Sequence, residues 1–166
     1  MSAFHLAQTN LGRTTAPLDS PQLRPFMDAL TSVNDHADAA PGFVWRLQTE
    51  AGDATALTVF DGALMVNLSV WETFEDLRTF VYRDPAHLTI MRRRREFFEK
   101  IELVNALWWV PAGHRPTLAE TEERYAYLRE HGPTPHAFGF QRHFPPPDAD
   151  ADAAEATVDD ADLCPA

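Results

Sequence analysis

The segment HLTIMRRRREFFEKI, residues 87–101, contains two side chains whose positions suggest chemistry. We predict one uninterrupted helix here, and at about 100° per residue His87 and Arg94 fall on its apolar stripe. Met91 and Phe98 lie on the same stripe and are predicted to contact a substrate. A buried guanidinium costs several kcal/mol unless a carboxylate, carbonyl groups or a bound anion satisfy it. Arg94 is therefore predicted to have a partner, whereas the other arginines of the run face solvent.

Two interpretations of Arg94 stay open. It can form a structural ion pair with an interior carboxylate or with strand-end carbonyls, or it can bind an anionic or carbonyl-bearing ligand through two parallel hydrogen bonds. His87 has a similar choice. It can be a partly exposed histidine bonded to nearby backbone, a base that takes a proton from a phenol or enol, or an axial ligand of haem iron. We predict His87 and Arg94 as the catalytic residues.

A strand predicted at 64–71 supplies candidate binding groups. Its sequence, LMVNLSVW, places Asn67, Ser69 and Trp71 on one face because side chains alternate along a strand. Amide and hydroxyl groups can hydrogen-bond the oxygens of a ligand, so this face is predicted to be the floor of a mostly apolar cavity. The alternative is that Asn67 faces a second subunit.

Two tryptophans and a loop histidine complete the predicted substrate-binding set. Trp108 and Trp109 are neighbours in the strand predicted at 106–111, so they face opposite sides of it. One can enter the cavity and the other a subunit interface, although core packing is the usual role of such residues. His114 precedes a helix, where it can serve a ligand or simply close the turn.

The sequence lacks the common signatures of metal and nucleotide sites. Its histidines are scattered, and HExxH, CxxC, a glycine-rich phosphate loop and GxSxG are all missing. We therefore predict no metal site and no bound cofactor, with haem on His87 as the open alternative.

The 166 residues, 45% of them hydrophobic, suffice for one domain with a proper core. We predict a domain at 1–144 and a disordered tail at 145–166, because that tail is rich in Pro, Ala and Asp. The formal charge is −11, and residues 148–166 hold seven acidic residues and no basic one. A chain without a basic excess is not expected to bind nucleic acid.

The ends of the chain and its cysteine content bear on location. The start MSAFHLAQTNLG has no basic region followed by an apolar run, and no segment reaches about 18 apolar residues. The single cysteine, Cys164, excludes a disulfide framework. We expect a cytoplasmic protein that does not bind a membrane.

The predicted elements follow the order β-α-β-β-α-β with a helix–strand extension, which is an α+β, ferredoxin-like plan. Thr117 and Glu120 form the pattern of a capping box at the start of the last helix. The predicted strands lie at 3–10, 43–49, 64–71, 106–111 and 138–141, and the predicted helices at 20–40, 73–82, 87–101 and 117–131.

A ferredoxin-like sheet carries its helices on one face. Strands as apolar as 64–71 and 106–111 indicate that the other face is covered too, most simply by the sheet of a second subunit. We therefore predict a homodimer.

Several longer motifs resemble a known family. PGFVWRLQ, VNLSVWE, FVYRDPAHLTIMRRRREFFEK, LWWVPAGHRPT and HGPTPHAFGF are similar to a family of bacterial and fungal proteins catalogued as a domain of unknown function. The resemblance covers roughly residues 3–142. That family is placed in the dimeric α/β-barrel superfamily, with the antibiotic-biosynthesis monooxygenases. The resemblance implies a dimeric α/β barrel with a ligand cavity between the sheet and the helices of each subunit.

The function that the resemblance implies is broad, because the superfamily includes quinone-forming monooxygenases, haem enzymes, lactone isomerases and binding proteins. Our leading hypothesis is a cofactor-independent monooxygenase or isomerase that acts on an aromatic or polyketide-like small molecule. The alternatives are a non-catalytic ligand-binding or stress-related barrel, and a haem-binding barrel with His87 as axial ligand.

Overall fold

A computed structural model of the protein describes residues 2–149 and the backbone of a short strand at 156–157. Its elements confirm the predicted order, with two differences. A short additional strand lies at 58–59, and two short helices at 85–92 and 94–97 replace the single helix predicted at 87–101. The elements are β1 (Phe4–Gly12), α1 (Arg24–Asp38), β2 (Phe43–Arg46), β3 (Thr58–Val59), β4 (Leu64–Trp71), α2 (Phe74–Arg83), α3 (Pro85–Arg92), α4 (Arg94–Phe97), β5 (Asn105–Pro111), α5 (Leu118–His131), β6 (Arg142–His143) and β7 (Ala156–Thr157).

The main sheet is antiparallel and has the order β2-β4-β1-β5, with β3 paired to the start of β4. This is the strand order of a ferredoxin-like fold, so the predicted α+β class is confirmed. An edge strand was predicted at 138–141. Of these residues only Phe138 pairs with the sheet, through a single bridge to Leu107 of β5.

Helices cover the first face of the sheet, which we define by Leu6, Gln8 and Asn10 of β1. At one end of this face, Leu6 packs with Trp71 and with residues of α2. At the other end, residues of α1 and α4 form a second apolar cluster against Met65. The polar positions of β1 lie between these two clusters.

Helix α5 covers the second face, which we define by Ala7, Thr9 and Leu11 of β1. Tyr125 and Leu128 of this helix belong to the cluster that contains the second-face residues of β1, β4 and β5. Those strand residues are buried within the single chain. The second face is covered, as predicted, but the expectation that the helices lie on one face only is wrong, because α5 of the same chain packs on the second face. The homodimer stays a prediction.

The arginine segment is not one helix, so this prediction is wrong. Helix α3 ends at Arg92, Arg93 leaves helical geometry with φ −100° and ψ 5°, and α4 is a single turn. After α4 the chain pairs with a distant segment: the amide of Thr15 donates to the carbonyl of Phe97, and the amide of Glu99 donates to that of Arg13. These hydrogen bonds pull the chain into an extended path immediately after α4.

The predicted domain boundary between residues 144 and 145 stays a prediction. Residues 145–149 are described, and the carboxylate of Asp148 accepts hydrogen bonds from the Ser2 hydroxyl and the Ala3 amide. Most of the tail predicted to be disordered lies outside the described residues. Among the described helices, none is long and apolar enough to cross a bilayer.

The packing of α5 on the sheet can be tested with Leu128→Ala. Leu128 is 6% exposed and lies in the second-face cluster. The substitution should lower the free energy of unfolding by about 2–5 kcal/mol because it leaves a cavity. Val104→Ala is the matched control, because Val104 is 40% exposed and its loss should cost at most about 0.5 kcal/mol. Urea denaturation measures both, and a change below about 0.5 kcal/mol for Leu128→Ala would show that α5 does not dock here.

Candidate functional site

A patch of polar side chains occupies the middle of the first face of the sheet. The register pairs Gln8 of β1 with Ser69 of β4, and it pairs Asn10 with both Asn67 and Asn105. Since side chains at paired positions project from the same face, these five residues form one continuous surface. We call it the polar patch. We predicted that this face forms the floor of a mostly apolar cavity. The polar patch instead carries several side-chain amides.

Three side chains at the buried edge of this patch form a directed hydrogen-bond chain. The indole Nε1–H of Trp71 donates to Ser69 Oγ at 3.0 Å, and the Ser69 hydroxyl donates to Gln8 Oε1 at 2.9 Å. The groups of Ser69 and Trp71 predicted to meet a substrate are thus engaged within the fold. Gln8 is 3% exposed, and its Nε2 has no hydrogen-bond partner within residues 2–149.

The other edge of the patch is open. Asn67 is exposed, while Asn10 and Asn105 are half-buried. Phe98, one of the predicted substrate-binding residues, borders the patch: a Cβ added to Gly12 would lie 2.7 Å from the Phe98 ring. A ligand could therefore approach the patch from the side of Asn67 and Phe98.

His87 stands at the end of the patch where Trp71 lies. The Phe80 ring contacts both side chains, with ring centroids 5.2 Å from Trp71 and 5.3 Å from His87. Farther along α3, Ile90 packs in the apolar cluster at the other end of the first face. Helix α3 therefore bridges the two clusters that flank the polar patch.

The local sequence explains how His87 is held. Its Nδ1 lies 2.9 Å from the carbonyl oxygen of Val81, in the last turn of α2. In a longer helix that carbonyl would accept from the amide of residue 85, but Pro85 has no N–H. Asp84 caps α3 by accepting from the His87 amide at 2.8 Å. The Asp-Pro pair thus both ends α2 and frees the acceptor that binds the imidazole.

This arrangement fixes the protonation state of His87. A carbonyl oxygen can only accept, so Nδ1 carries the proton and Nε2 keeps its lone pair in the neutral ring. Burial lowers the pKa of His87 below the usual 6.5, although the Val81 hydrogen bond and the charge of Asp84 act in the opposite direction. At neutral pH the ring is therefore uncharged, and Nε2 can accept a proton.

The structure separates Arg94 from His87. Arg94 is exposed, as are the other arginines of the run, because the helix breaks at Arg93. The prediction of a buried guanidinium on the stripe of His87 is wrong. Met91 is half-buried on α3. Their roles toward a ligand stay predictions.

Trp108 and His114 lie on the other side of the sheet, where Glu120 links them. The Trp108 Nε1–H donates to one oxygen of Glu120 at 2.8 Å, and His114 Nε2 lies 2.7 Å from the other. Burial favours a higher pKa for Glu120, but the hydrogen bonds from His114 and Trp108 outweigh it and lower the pKa. The Thr117 hydroxyl accepts from the Glu120 amide, so half of the predicted capping box forms while the Glu120 side chain turns to these partners.

The predicted site residues therefore fall into two groups on opposite faces. Trp108 belongs to the second-face core and is fully buried, whereas Trp109 packs on the first face and donates to the Phe144 carbonyl. Their predicted opposite orientation is confirmed. Sequence reasoning missed Gln8, Asn10 and Asn105, although a polar alternation in β1 was visible in AFHLAQTN.

A half-open cleft of about 220 Å³ adjoins the polar patch along the strands. Gly12 and Met65 contribute to its lining. On this face of the sheet they form the row next to Asn10 and Asn67. None of the predicted site residues lines it. Among residues 2–149, no group of three His, Cys, Asp or Glu side chains is placed to hold a metal ion.

The sequence matches the family described as "Domain of unknown function (DUF3291)" over residues 5–154, which confirms the predicted resemblance. No curated protein gives a significant match.

Several solved structures are similar to this chain. A conserved protein from Methanosarcina mazei Go1 is 11% identical, with a TM-score of 0.46 over 66% of this chain and 93% of its own. SnoaB, a cofactor-independent oxygenase from Streptomyces nogalater, is 16% identical, with a TM-score of 0.43 over 70% and 98%. The hydroxynitrile lyase from Passiflora edulis is 16% identical, with a TM-score of 0.43 over 69% and 100%.

The exposure of Arg94 leads to a prediction about stability. Replacing Arg94 with Gln should change the free energy of unfolding by at most about 0.5 kcal/mol, as expected for a solvated side chain. Arg92→Gln on the preceding turn is the matched control. Chemical denaturation measures both variants. A loss of about 3–5 kcal/mol for Arg94→Gln would reveal a buried ion pair and contradict the exposed position.

The buried imidazole predicts a pH dependence of stability. Above pH 6.5 His87 is neutral in both folded and unfolded chains. As the pH falls below 6.5, the unfolded chain binds the proton first, so the free energy of unfolding decreases until the lower native pKa is reached. His87→Gln should remove this part of the acid sensitivity. An NMR titration of the His87 ring measures the native pKa directly, and a value at or above 6.5 is incompatible with this assignment.

Proposed function

The chain belongs to the family described as a domain of unknown function (DUF3291), and we propose that it is a small-molecule enzyme that deprotonates an aromatic substrate and lets the resulting anion react with O2. The observation that carries this proposal is the hydrogen bond from His87 Nδ1–H to the Val81 carbonyl. It leaves Nε2 with a free lone pair, on a ring that contacts Phe80 as Trp71 at the end of the polar patch also does. No bound cofactor is required for such a reaction when the anion is sufficiently electron-rich.

The lowered pKa of His87 suits a base that works at neutral pH. A general base is most effective when its pKa lies near or somewhat below the operating pH, since it is then unprotonated but still able to take a proton. Burial lowers the pKa of His87 below the usual 6.5, so the ring is unprotonated at pH 7. The backbone acceptor prevents the ring from rotating, so proton transfer needs no reorientation of the base.

The polar patch would orient the oxygens of the substrate. Asn10, Asn67 and Asn105 carry amides that can each donate to a carbonyl or accept from a phenol. These groups are uncharged, which fits an aromatic ketone or phenol better than a phosphate or a polycarboxylate. Phe98 and Phe80 would pack against the rings of the substrate at the two ends of the patch.

The reaction can be written for anthrone, a ketone with an acidic methylene group. Nε2 of His87 takes one methylene proton, and the negative charge is shared between carbon and the carbonyl oxygen. The carbanion is oxidised by O2, which adds at the same carbon, and the His87 imidazolium returns its proton to the terminal peroxide oxygen. Loss of water with the second methylene hydrogen gives anthraquinone. Anthrone plus O2 yields anthraquinone plus one water, so atoms and electrons balance.

Haem binding is the second candidate, and the same hydrogen bond favours it. A histidine that ligates a metal through Nε2 usually donates its Nδ1–H to a carboxylate or a backbone carbonyl, as His87 does. The absorption spectrum of the protein as purified separates the candidates, because a Soret band would assign His87 to haem iron. A protein spectrum without such a band, together with anthrone oxidation, would support the proposed base.

Anthrone and dissolved O2 provide the activity test. The wild-type protein should consume O2 and form anthraquinone at pH 7, and His87→Gln should lower the rate by about 10²–10⁴-fold because the base is lost. His136→Gln is the matched control, since His136 pairs with Glu123 on the exposed side of α5. An oxygen electrode and the anthraquinone absorbance report the rate. Equal rates for the His87 variant and the wild type would remove His87 from the mechanism, and binding of anthrone without turnover would indicate a binding protein.

A further inference from the structure

Gln8 presents a buried donor that the fold itself does not satisfy. Its side chain is 3% exposed, and Nε2 has no partner among the described residues. A buried N–H without an acceptor costs about 1–3 kcal/mol, which is why nearly all such groups in folded proteins are paired. An amide kept in this condition needs a partner beyond the described residues.

The neighbouring hydrogen bonds fix which end of the amide is free. Trp71 Nε1 can only donate, so Ser69 Oγ accepts from it and uses its own proton toward Gln8 Oε1. If the amide were turned over, Nε2 would face a hydroxyl that already accepts from the indole, and the Ser69 proton would lose its acceptor. The chain Trp71 to Ser69 to Gln8 therefore ends in two N–H donors. Donation into Oε1 also polarises the amide and strengthens those donors.

The position of Gln8 relates these donors to the polar patch. Gln8 and Asn10 project from the same face of β1, and Gln8 is paired with Ser69 on one side and Leu107 on the other. Its Oε1 is held on the Ser69 side. Asn67, the next residue on the same face of β4 after Ser69, is exposed, so the patch reaches solvent one row of side chains away from Gln8.

We propose that Gln8 Nε2 binds the carbonyl oxygen of an aromatic ligand on the polar patch, with Ser69 and Trp71 acting as positioning residues that hold the amide in its donating orientation. This rests on the proposed function for the location of the site, and it specifies the ligand: a ring system that bears a hydrogen-bond acceptor and no proton at that oxygen. In the proposed reaction the same donor would bind the oxygen on which negative charge develops after deprotonation. Gln8 would then contact the substrate directly.

Binding of 1-indanone and indane tests the assignment. The two probes share one carbon skeleton, and only indanone has a carbonyl. Calorimetry should show that the wild-type protein binds indanone about tenfold more tightly than indane, the effect of one satisfied buried donor. Gln8→Met, which keeps the length of the side chain, should bring the ratio of the two affinities to about one. Gln48→Met is the matched control, because Gln48 is an exposed glutamine outside the polar patch, and it should keep the wild-type ratio.

An infrared spectrum of bound indanone gives a second readout that needs no variant to fold. A hydrogen bond from Nε2 should move the carbonyl stretch of indanone in the wild-type complex to lower frequency than in a non-donating solvent, and Gln8→Met should abolish the shift. Equal binding of indanone and indane by the wild type, or an unshifted carbonyl band, would overturn the proposal and assign Nε2 to water.

These probes require neither O2 nor a base. A failure to oxidise anthrone would therefore leave the role of Gln8 standing, and an intact rate of anthrone oxidation with unselective indanone binding would remove only Gln8.

Discussion

The hydrogen bond between His87 Nδ1 and the Val81 carbonyl connects the local sequence to the chemistry of this protein. It exists because α2 stops at Asp84-Pro85, which leaves the Val81 carbonyl without its helical donor. The Asp84 side chain starts α3 at the next residue and sets the position of His87 in the first turn. Two helix ends and one histidine thus form a unit whose geometry is determined over seven residues, and the ring protonation follows from it.

The sheet supplies the polar surface on which the proposed substrate would bind. Because β1 pairs with β4 on one side and with β5 on the other, amides from three strands meet in rows on a single face. Apolar clusters at either end of that face anchor the helices, and they leave the middle to polar side chains. The hydrogen-bond chain that ends at Gln8 shows that part of this polar surface is organised by contacts within the fold. The open side at Asn67 makes the rest accessible from solvent.

The sequence allowed the prediction of features that depend on neighbours in the chain. Strand alternation placed Asn67, Ser69 and Trp71 on one face, and the Asp-Pro pair located the helix boundary before His87. Arg94 could not be placed in this way. The helix is interrupted at Arg93, and four residues later the chain leaves helical geometry altogether because residues 97–99 pair with residues 13–15, a contact over more than eighty positions. Tertiary pairing of this kind outweighs the small local preference for continuing a helix.

The packing of α5 on the second face was not predicted for a similar reason. The capping-box pattern at Thr117 and Glu120 predicted where this helix begins, but no local pattern states which face of the sheet it meets. Gln8 escaped notice because a glutamine in a strand is ordinarily exposed, and its burial becomes visible only when the register with Ser69 is known.

The central claim is that His87 is neutral, with its proton on Nδ1 and a free lone pair on Nε2. The direct measurement is a ¹⁵N NMR spectrum of the histidine rings at pH 7, with the His87 resonances assigned by their loss in His87→Gln. A protonated Nδ1 and an unprotonated Nε2 are the predicted result. A spectrum with the proton on Nε2, or with both nitrogens protonated, would contradict the account.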